Sequence, residues 1–303
     1  MSILNRPSDG LVSVFVALVR ASVLIGTMPK SKLLDICSPK SLGDGKQDMS
    51  TKTLNRWSEL GLFENTEKGE VKVSEKYRGR LRKMKVSVES VGSVARTVVF
   101  SNENNNNFWN DEENRSADFS RAVSWMLAQN VHEFIPTSWS QVEPKMLEQR
   151  KSTEHTIFQN DTRWSGYVSW AAFFGFGRSE SGKAAGGFVS DPTRVVADVL
   201  ATILPPKHEV KVGDFVSDLA DVIPVLDGGA YRTEVEKNLS SEKWKSPVGS
   251  ELSTSLSRAF LRLESQGKIR FERRSDADAE VRIVGRNHKI VDRVTHVQRG
   301  STR

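Results

Sequence analysis

Residues 54–75 read LNRWSELGLFENTEKGEVKVSE and combine the pattern of a short helix with that of a hairpin. Leu54 and Trp57 recur at helical spacing and predict one buried face. Gly61 suits the left-handed position that ends such a helix. The residues after it alternate between apolar and polar types on both sides of the turn ENTEKGE, which predicts two short antiparallel strands.

Two further helix patterns precede this stretch. The run LVSVFVALVRASVLIG, residues 11–26, is apolar nearly all round and predicts a buried helix, and LLDIC, residues 33–37, predicts a short second one. Ser50 is a plausible start for the third helix. Three helices followed by a hairpin is the order of a winged helix-turn-helix, and residues 1–85 are predicted to form one.

A second helix and hairpin of the same kind follows near the other end of the chain. The helix pattern ELSTSLSRAFLRLESQ ends at Gly267, and KIRFERR, the turn DAD and EVRIV predict a hairpin. When the two helices are aligned on Gly61 and Gly267, the matching pairs are Leu54 with Phe260, Arg56 with Arg262, Trp57 with Leu263 and Phe63 with Ile269. A repeated unit is stronger evidence than one unit alone. A C-terminal winged helix is therefore predicted for 191–285, with a basic tail at 286–303.

The segment between them, residues 86–190, is acidic and aromatic. It contains an Asn-rich stretch, NENNNNFW, which predicts a loop, and several helix patterns. Five of the seven tryptophans fall here, and large rings of this kind usually fill a helical core. The predicted fold is mostly α with small β-hairpins: tandem winged helix-turn-helix domains joined by an aromatic helical middle domain.

The composition is typical of a water-soluble protein. Hydrophobic residues make up 37% of the 303 and charged residues 27%. The most apolar run is interrupted by Arg20 and is too short to span a bilayer, so we expect no membrane insertion and a cytoplasmic location. The single cysteine, Cys37, excludes an intramolecular disulfide and a multi-cysteine zinc site.

Charge is distributed unevenly along the chain, whose formal net charge is +6. Counting Lys and Arg against Asp and Glu gives +7 for residues 1–100, −6 for 101–250 and +5 for 251–303. Basic regions attract polyanions. Since each basic region contains one of the helix–hairpin patterns, DNA is the predicted partner.

Candidate DNA contacts follow from the winged-helix geometry, in which the third helix can enter the major groove while basic residues nearby contact phosphate. The first unit offers Lys52, Asn55 and Arg56 on its helix and a basic run after its hairpin, Lys76, Arg78, Arg80, Arg82, Lys83 and Lys85. The second unit offers Arg258, Arg262, Arg273, Arg274 and Arg282. A solvated charged face is the ordinary alternative for such runs.

Nothing in the sequence favours catalysis. GRSESGKA, residues 177–184, misses the hydroxyl residue of a nucleotide-binding loop, and a Gly/Ser loop is the better interpretation. Asp191, Glu209 and Lys211 resemble a metal-dependent nuclease pattern, but Asp191 and Pro192 are also typical of a helix start. The five histidines lack metal-ligand spacing. We expect no catalytic residues, no metal and no cofactor.

Three stretches resemble a known family: ILNRPSDGLVSVFVALVRA at 3–21, LNRWSELGLF at 54–63 and FVSDPTRVV at 188–196. They are similar to the bacterial DpdG proteins, which are encoded in clusters that insert 7-deazaguanine derivatives into DNA and are associated with restriction of unmodified DNA. The resemblance implies a bacterial defence context and partner proteins from the same cluster. It implies no set of catalytic residues.

The leading hypothesis is a non-enzymatic accessory protein that binds duplex or junction DNA through two basic winged helices. The alternatives are an assembly adaptor whose winged helices bind proteins, a metal-dependent nuclease centred on Asp191, and a transcriptional repressor.

Overall fold

The computed structural model describes residues 2–4, 12–39, 41, 44–110, 115–179 and 186–300, and for 44–47 it describes the backbone alone. This part of the chain is about half helical and carries small antiparallel strand pairs, as predicted. The α-helices are α1 (Val12–Ile25), α2 (Lys30–Cys37), α3 (Asp44–Glu59), α4 (Glu75–Lys83), α5 (Val88–Val99), α6 (Ala117–Ala128), α7 (Trp139–Gln149), α8 (Asp161–Phe174), α9 (Thr193–Ile203), α10 (Val212–Val222), α11 (Ala230–Lys237) and α12 (Thr254–Ser265). The strands are β1 (Met28–Pro29), β2 (Phe63–Asn65), β3 (Glu70–Val73), β4 (Gly177–Ser179), β5 (Phe188–Ser190), β6 (Glu209–Lys211), β7 (Ile269–Glu272), β8 (Val281–Val284), β9 (Ile290–Val294) and β10 (His296–Arg299).

The chain divides into two compact units. Unit 1 comprises Met1–Phe119 and Asn160–Phe174, and unit 2 comprises Ser120–Gln159 and Gly175–Arg303. The predicted middle domain, 86–190, is divided between them instead of forming a body of its own. Its aromatic helix α8 belongs to unit 1, because Trp170 and Phe174 of α8 pack against Trp57 of α3.

Trp57 lies at the centre of the unit 1 core, where its side chain is fully buried. It stacks on Phe15 of α1 with ring centroids 4.1 Å apart, and its centroid lies 5.6 Å from that of Trp170 of α8. Phe174 completes the cluster at 6.5 Å from Trp57. Aromatic contacts of this kind add about 0.5–1.5 kcal/mol to the burial of the rings themselves. The apolar face predicted for residues 54–60 is therefore the face that holds α3 to α1 and α8.

The sheet of unit 1 has the order β1-β3-β2, with both pairs antiparallel. The β2–β3 hairpin is the one predicted around ENTEKGE, with Phe63 opposite Val73. Strand β1 was not predicted, since its two residues are too few to show an alternating pattern. It pairs Met28 with Val71 and thereby covers the edge of β3.

Helix α3 begins at Asp44, six residues before the start predicted at Ser50. Ser50 is buried inside the helix and does not cap it. Gly45 lies inside this helix and costs only about 1 kcal/mol there, which the tertiary packing of Leu54 and Trp57 offsets.

The sheet of unit 2 has the order β6-β10-β7, which differs from the predicted hairpin. Strand β7 pairs with β10 and not with β8, while β8 pairs with β9. The segment 286–303, predicted as a basic tail, thus contains β9 and the central strand β10. The sequence EVRIV follows β7 closely and alternates correctly, so local pattern alone favoured the shorter connection.

The long helices α3 and α12 end in the same way. Gly61 has a φ of +86° and Gly267 a φ of +66°. The N–H of Gly61 donates to Ser58 O and that of Leu62 to Trp57 O, and the N–H groups of Gly267 and Lys268 donate to Glu264 O and Leu263 O. This is the Schellman arrangement, which satisfies the last carbonyls of a helix. The alignment of the two units on their glycines is confirmed down to individual hydrogen bonds.

Candidate nucleic-acid interface

The solvent-facing side of α3 carries two of its three predicted contacts. Lys52 and Asn55 are exposed, but Lys52 pairs with Asp48 at 2.7 Å and Asn55 accepts a hydrogen bond from Lys30 Nζ at 2.6 Å. Arg56 is only 4% exposed and lies inside unit 1. Its position next to Trp57 turns it toward the core, so it does not face solvent as predicted.

Helix α4 presents the densest group of cations on the described surface of unit 1. Tyr77 and Leu81 are buried and fix the inner side of the helix. Lys76, Arg80 and Lys83, spaced four and three residues apart, share the outer side. The β2–β3 hairpin ends just before Ser74, α4 begins just after it, and Tyr77 and Leu81 anchor this helix to the core. Its charged residues must then face solvent.

We call the exposed cations Lys76, Arg80, Arg82, Lys83 and Lys85 the α4 basic face. Among the residues that the structure describes, none of the five forms an ion pair with a carboxylate within 4.0 Å. Arg80 donates instead to the hydroxyl groups of Ser93 (3.0 Å) and Thr97 (3.4 Å) on α5. Within the described residues these cations are therefore not neutralised by a direct carboxylate contact. A backbone hydrogen bond is the first cause that lowers the pKa of Glu103, and the charge of Lys76 helps to lower it.

Arg78, the sixth cation of this run, is used differently. Its side chain is half-buried and pairs with Glu75 at 3.1 Å. A Cβ on Gly26 would lie 3.4 Å from Arg78 Nη2, so this guanidinium packs against the loop after α1. Arg78 holds α4 to the unit and is not part of the α4 basic face.

The two arginines predicted on the second long helix, α12, are engaged inside unit 2. Most of α12 is buried. Arg258 Nη2 donates to Val131 O at 2.9 Å and lies 3.1 Å from His132 Nδ1. Burial is the first cause that lowers the pKa of His132, and the positive charges of Arg258 and Arg286 lower it further. The lowered pKa favours the neutral form of the ring. Arg262 donates from Nη1 to Asp191.

The arginines of the second hairpin region are paired with carboxylates. Glu280 is contacted by Arg273 at 3.5 Å, by Arg282 at 3.7 Å and by Arg293. The hydrogen bond from Arg293 is the first cause that lowers the pKa of Glu280. Arg274 pairs with Glu209 at 2.6 Å and Glu272 at 3.9 Å. Within the part of the chain that the structure describes, each of these arginines thus has a carboxylate partner, unlike the cations of the α4 basic face, and three of them share Glu280.

The carboxylates suspected of metal binding serve other purposes. Asp191 Oδ1 accepts the N–H of Thr193 at 3.1 Å, which is the role of a capping residue, one position further from the helix than predicted. Glu209 pairs with Arg274, and Lys211 lies 3.4 Å from Asp278. In the described ranges, no three His, Cys, Asp or Glu side chains group as metal ligands. Of GRSESGKA, residues 177–179 form β4, paired with β5, and 180–184 lie outside the described residues.

The connection between Arg262 and Asp191 was not visible in the sequence. Asp191 is 8% exposed and also lies 3.5 Å from Arg178 Nη1. One acid thus contacts two arginines that are distant in sequence. Its helix-capping position predicts a polar partner nearby, but not which one.

Comparisons with known proteins place the chain in a family. No helix of the described part has both the length and the apolar content to cross a bilayer. No curated protein matches the chain, and no solved structure does. The model of one family, described as DpdG-like, matches residues 1–277. That match covers most of the chain and includes all three stretches that resemble DpdG proteins, so this protein belongs to the DpdG-like family.

Proposed function

We propose that this protein is a non-enzymatic, DNA-binding accessory component of a bacterial DNA modification and restriction system, acting in the cytoplasm. The single observation that carries the proposal is the α4 basic face, whose five exposed cations, four on α4 and Lys85 just after it, form no ion pair with a carboxylate within 4.0 Å among the described residues. Phosphate contacts supply most of the non-specific affinity of proteins for DNA. Membership of the DpdG-like family fits a role in a DNA modification context.

The order of elements supports a winged-helix architecture for unit 1. The elements follow one another as α1-β1-α2-α3-β2-β3. The sheet order β1-β3-β2 is the winged-helix order. In such a domain α3 is the recognition helix. Lys52 and Asn55 are then the side chains nearest to base edges, while the α4 basic face contacts the sugar-phosphate backbone.

Unit 2 repeats this order with two insertions. Helices α9, α10 and α12 and strands β6, β7 and β10 take the places of the unit 1 elements, and the sheet order β6-β10-β7 corresponds to β1-β3-β2. Helix α11 is inserted before α12, and the β8–β9 hairpin is inserted between β7 and β10. We infer a second winged helix, modified from the first.

The test is a salt-titrated binding assay with fluorescently labelled duplex DNA. For the wild-type protein, the logarithm of the affinity is expected to fall linearly with the logarithm of the salt concentration. The triple variant Lys76→Ala/Arg82→Ala/Lys83→Ala should bind more weakly, with a slope smaller by about 0.9 for each phosphate that the protein no longer neutralises. These three side chains are exposed and make no ion pair within the described part of the chain, so the variant should fold normally.

The matched control is Lys237→Ala/Lys245→Ala/Lys289→Ala, which removes the same charge from exposed positions of unit 2. It should retain affinity close to that of the wild type. If both triple variants bind DNA equally weakly, the effect reflects net charge and the interface lies elsewhere. Undetectable binding of the wild type at low salt would reject the proposal outright.

A second function is favoured for unit 2 by the pairing of its arginines. Arg273, Arg274 and Arg282 each pair with a carboxylate, and α12 is largely buried, so the DNA contacts predicted for unit 2 are less available to a phosphate than the α4 basic face is. We propose that unit 2 docks another protein of the same system. Co-purification from native cells with nuclease treatment tests this, because a protein partner held by unit 2 should survive digestion of DNA and survive the α4 triple variant. Loss of every partner after nuclease treatment would contradict it.

A further inference from the structure

A cleft of about 340 Å³ opens on unit 2 beside Asp191. Three cations line it: Arg178 on β4, Arg194 on α9 and Lys268 just after α12. Its volume lies within the range of small-molecule sites and is too small for a duplex. The α4 basic face has no part in it, since both β4 and α12 belong to unit 2.

Asp191 fixes two guanidinium groups beside this cleft. Its carboxylate accepts from Arg262 Nη1, lies 3.5 Å from Arg178 Nη1 and accepts the backbone N–H of Thr193. A guanidinium has five N–H donors, and Asp191 engages one nitrogen of each arginine. Arg262 is held by a hydrogen bond to Asp191, and Arg178, which lines the cleft, by an ion pair at 3.5 Å, so both guanidinium groups stay close to the same acid. The side chain of Arg178 is 53% exposed and that of Arg262 39%, so both remain accessible.

A third arginine, Arg258, lies within the electrostatic influence of the same groups. Burial is the first cause that lowers the pKa of Arg258. Asp191 opposes this shift, and repulsion by Arg262 and Arg178 adds to it. Arg258 therefore feels both guanidinium groups that Asp191 contacts. Among the described residues that line the cleft, the three cations Arg178, Arg194 and Lys268 outnumber the two carboxylates Asp191 and Asp198.

Glycine keeps one wall of the cleft open. Gly175 has a φ of +93°, and a Cβ built on it would lie 2.5 Å from Arg194 Nε. At Gly177 a Cβ would lie 2.4 Å from the ring of Phe188 and 2.5 Å from Val189 O. The positive φ favours glycine at 175, where the Arg194 side chain lies close to the backbone, and glycine at 177 lets β4 approach β5.

We propose that this cleft binds the phosphate group of a nucleotide. Tetrahedral phosphate oxygens match the paired N–H donors of guanidinium groups, and arginine forms stronger, better-oriented contacts with phosphate than a mobile lysine does. The phosphate can belong to a free nucleotide or to the 5′ end of a DNA strand. The proposal is independent of the α4 basic face, because it concerns other residues and a ligand with a single phosphate.

The test uses three probes with the full-length protein: deoxyadenosine monophosphate, a 5′-phosphorylated single-stranded oligonucleotide, and the same oligonucleotide without its phosphate. Calorimetry should detect binding of at least one phosphate-bearing probe. The unphosphorylated oligonucleotide should bind more weakly than the phosphorylated one. Comparable binding of the monophosphate and the phosphorylated strand identifies a free nucleotide as a sufficient ligand. Binding of the phosphorylated strand alone identifies a DNA end.

The decisive variant is Arg178→Ala/Lys268→Ala, which should weaken binding of the phosphate probe by about tenfold for each charge-assisted hydrogen bond removed. Lys237→Ala/Lys289→Ala, with the same change in net charge, should bind as the wild type does. The single variant Lys268→Glu alters only an exposed side chain and provides a second test if the double variant is unstable.

Two results would overturn the proposal: no phosphate probe binds the wild type, or the cleft variant and its control are weakened to the same extent. The variant Lys76→Ala/Arg82→Ala/Lys83→Ala must keep its affinity for deoxyadenosine monophosphate if the wild type binds it, and otherwise its preference for the phosphorylated over the unphosphorylated oligonucleotide. Failure of the cleft is thereby distinguished from failure of the DNA interface on α4.

Discussion

Arg262 donates a hydrogen bond from Nη1 to the buried carboxylate of Asp191, 71 residues earlier in the chain. The contact joins the last turn of α12 to the start of α9. When α3 and α12 are aligned on Gly61 and Gly267, Arg262 corresponds to the buried Arg56 of α3. The two equivalent arginines differ in exposure, since Arg56 is buried in unit 1 whereas the side chain of Arg262 stays 39% exposed beside Asp191.

Replacing Asp191 should destabilise unit 2. Asp191→Ala removes the partner of Arg262 and the acceptor for the N–H of Thr193, and we expect a loss of about 1–3 kcal/mol in the free energy of unfolding. Asp191→Asn keeps an acceptor oxygen and should cost less. Urea unfolding of both variants measures the difference. Equal stability of Asp191→Ala and the wild type would show that the interaction contributes nothing.

The glycines that end α3 and α12 should respond alike to substitution. A Cβ would meet nothing within 4 Å at Gly61 or Gly267, so the cost of Gly→Ala is the backbone strain of a positive φ, about 1 kcal/mol at either site. Thermal unfolding of the two single variants measures it.

Gly79 is the matched control for those substitutions. It lies inside α4, a Cβ there also meets nothing within 4 Å, and its φ is not positive. Gly79→Ala should therefore stabilise unit 1 by about 0.5–1 kcal/mol. If Gly61→Ala and Gly79→Ala changed stability in the same direction, the left-handed end of α3 would not be the cause.

Trp57 should be the most sensitive core position of those predicted from the helix pattern. Trp57→Ala removes a fully buried ring that stacks on Phe15, and the expected loss is about 3–5 kcal/mol. Trp57→Phe retains an aromatic ring and should lose clearly less. Urea unfolding, followed by circular dichroism, compares the two. Similar losses for Ala and Phe would mean that ring stacking at this site is unimportant.

Cys37 should react slowly with thiol reagents in the folded protein. Burial raises the pKa of its thiol to about 11, so the reactive thiolate is scarce at neutral pH and increases only as the pH nears that value. The unfolded chain, with an ordinary thiol pKa of about 8.5, should react much faster at pH 8. Since the folded pKa is raised, the thiol also reduces stability as the pH climbs from the unfolded pKa through the folded one. Alkylation rates across this pH range test the shift, and equal rates for folded and unfolded protein would refute it.

The parts predicted from sequence are those decided within a few residues. Gly61 and Gly267 define helix ends by backbone geometry alone, and Trp57 and Leu263 occupy the apolar face of a single helix. The pairing of β7 with β10 was missed because strand partners depend on distant packing, and EVRIV alternates as well as the true partner does.

The candidate DNA contacts also differ in whether nearby or distant residues determine their surroundings. Composition predicted that residues 76–85 form a basic surface, and five of the six cations are exposed there. It could not show that Arg273, Arg274 and Arg282 meet carboxylates, because Glu209 and Glu280 reach them only through the fold of unit 2. A count of charges along the chain gives the same weight to compensated and uncompensated cations.

The central position of β10 has a consequence for synthesis on the ribosome. Strands β6 and β7 both hydrogen-bond to β10, and β10 emerges after every other strand of the chain that the structure describes. Until then β6 and β7 have exposed edges that cannot pair with each other in the native order, and unpaired strand edges favour aggregation. Unit 2 therefore depends on long-range, late-forming contacts, whereas the β1-β3-β2 sheet of unit 1 is complete once residue 73 has left the exit tunnel.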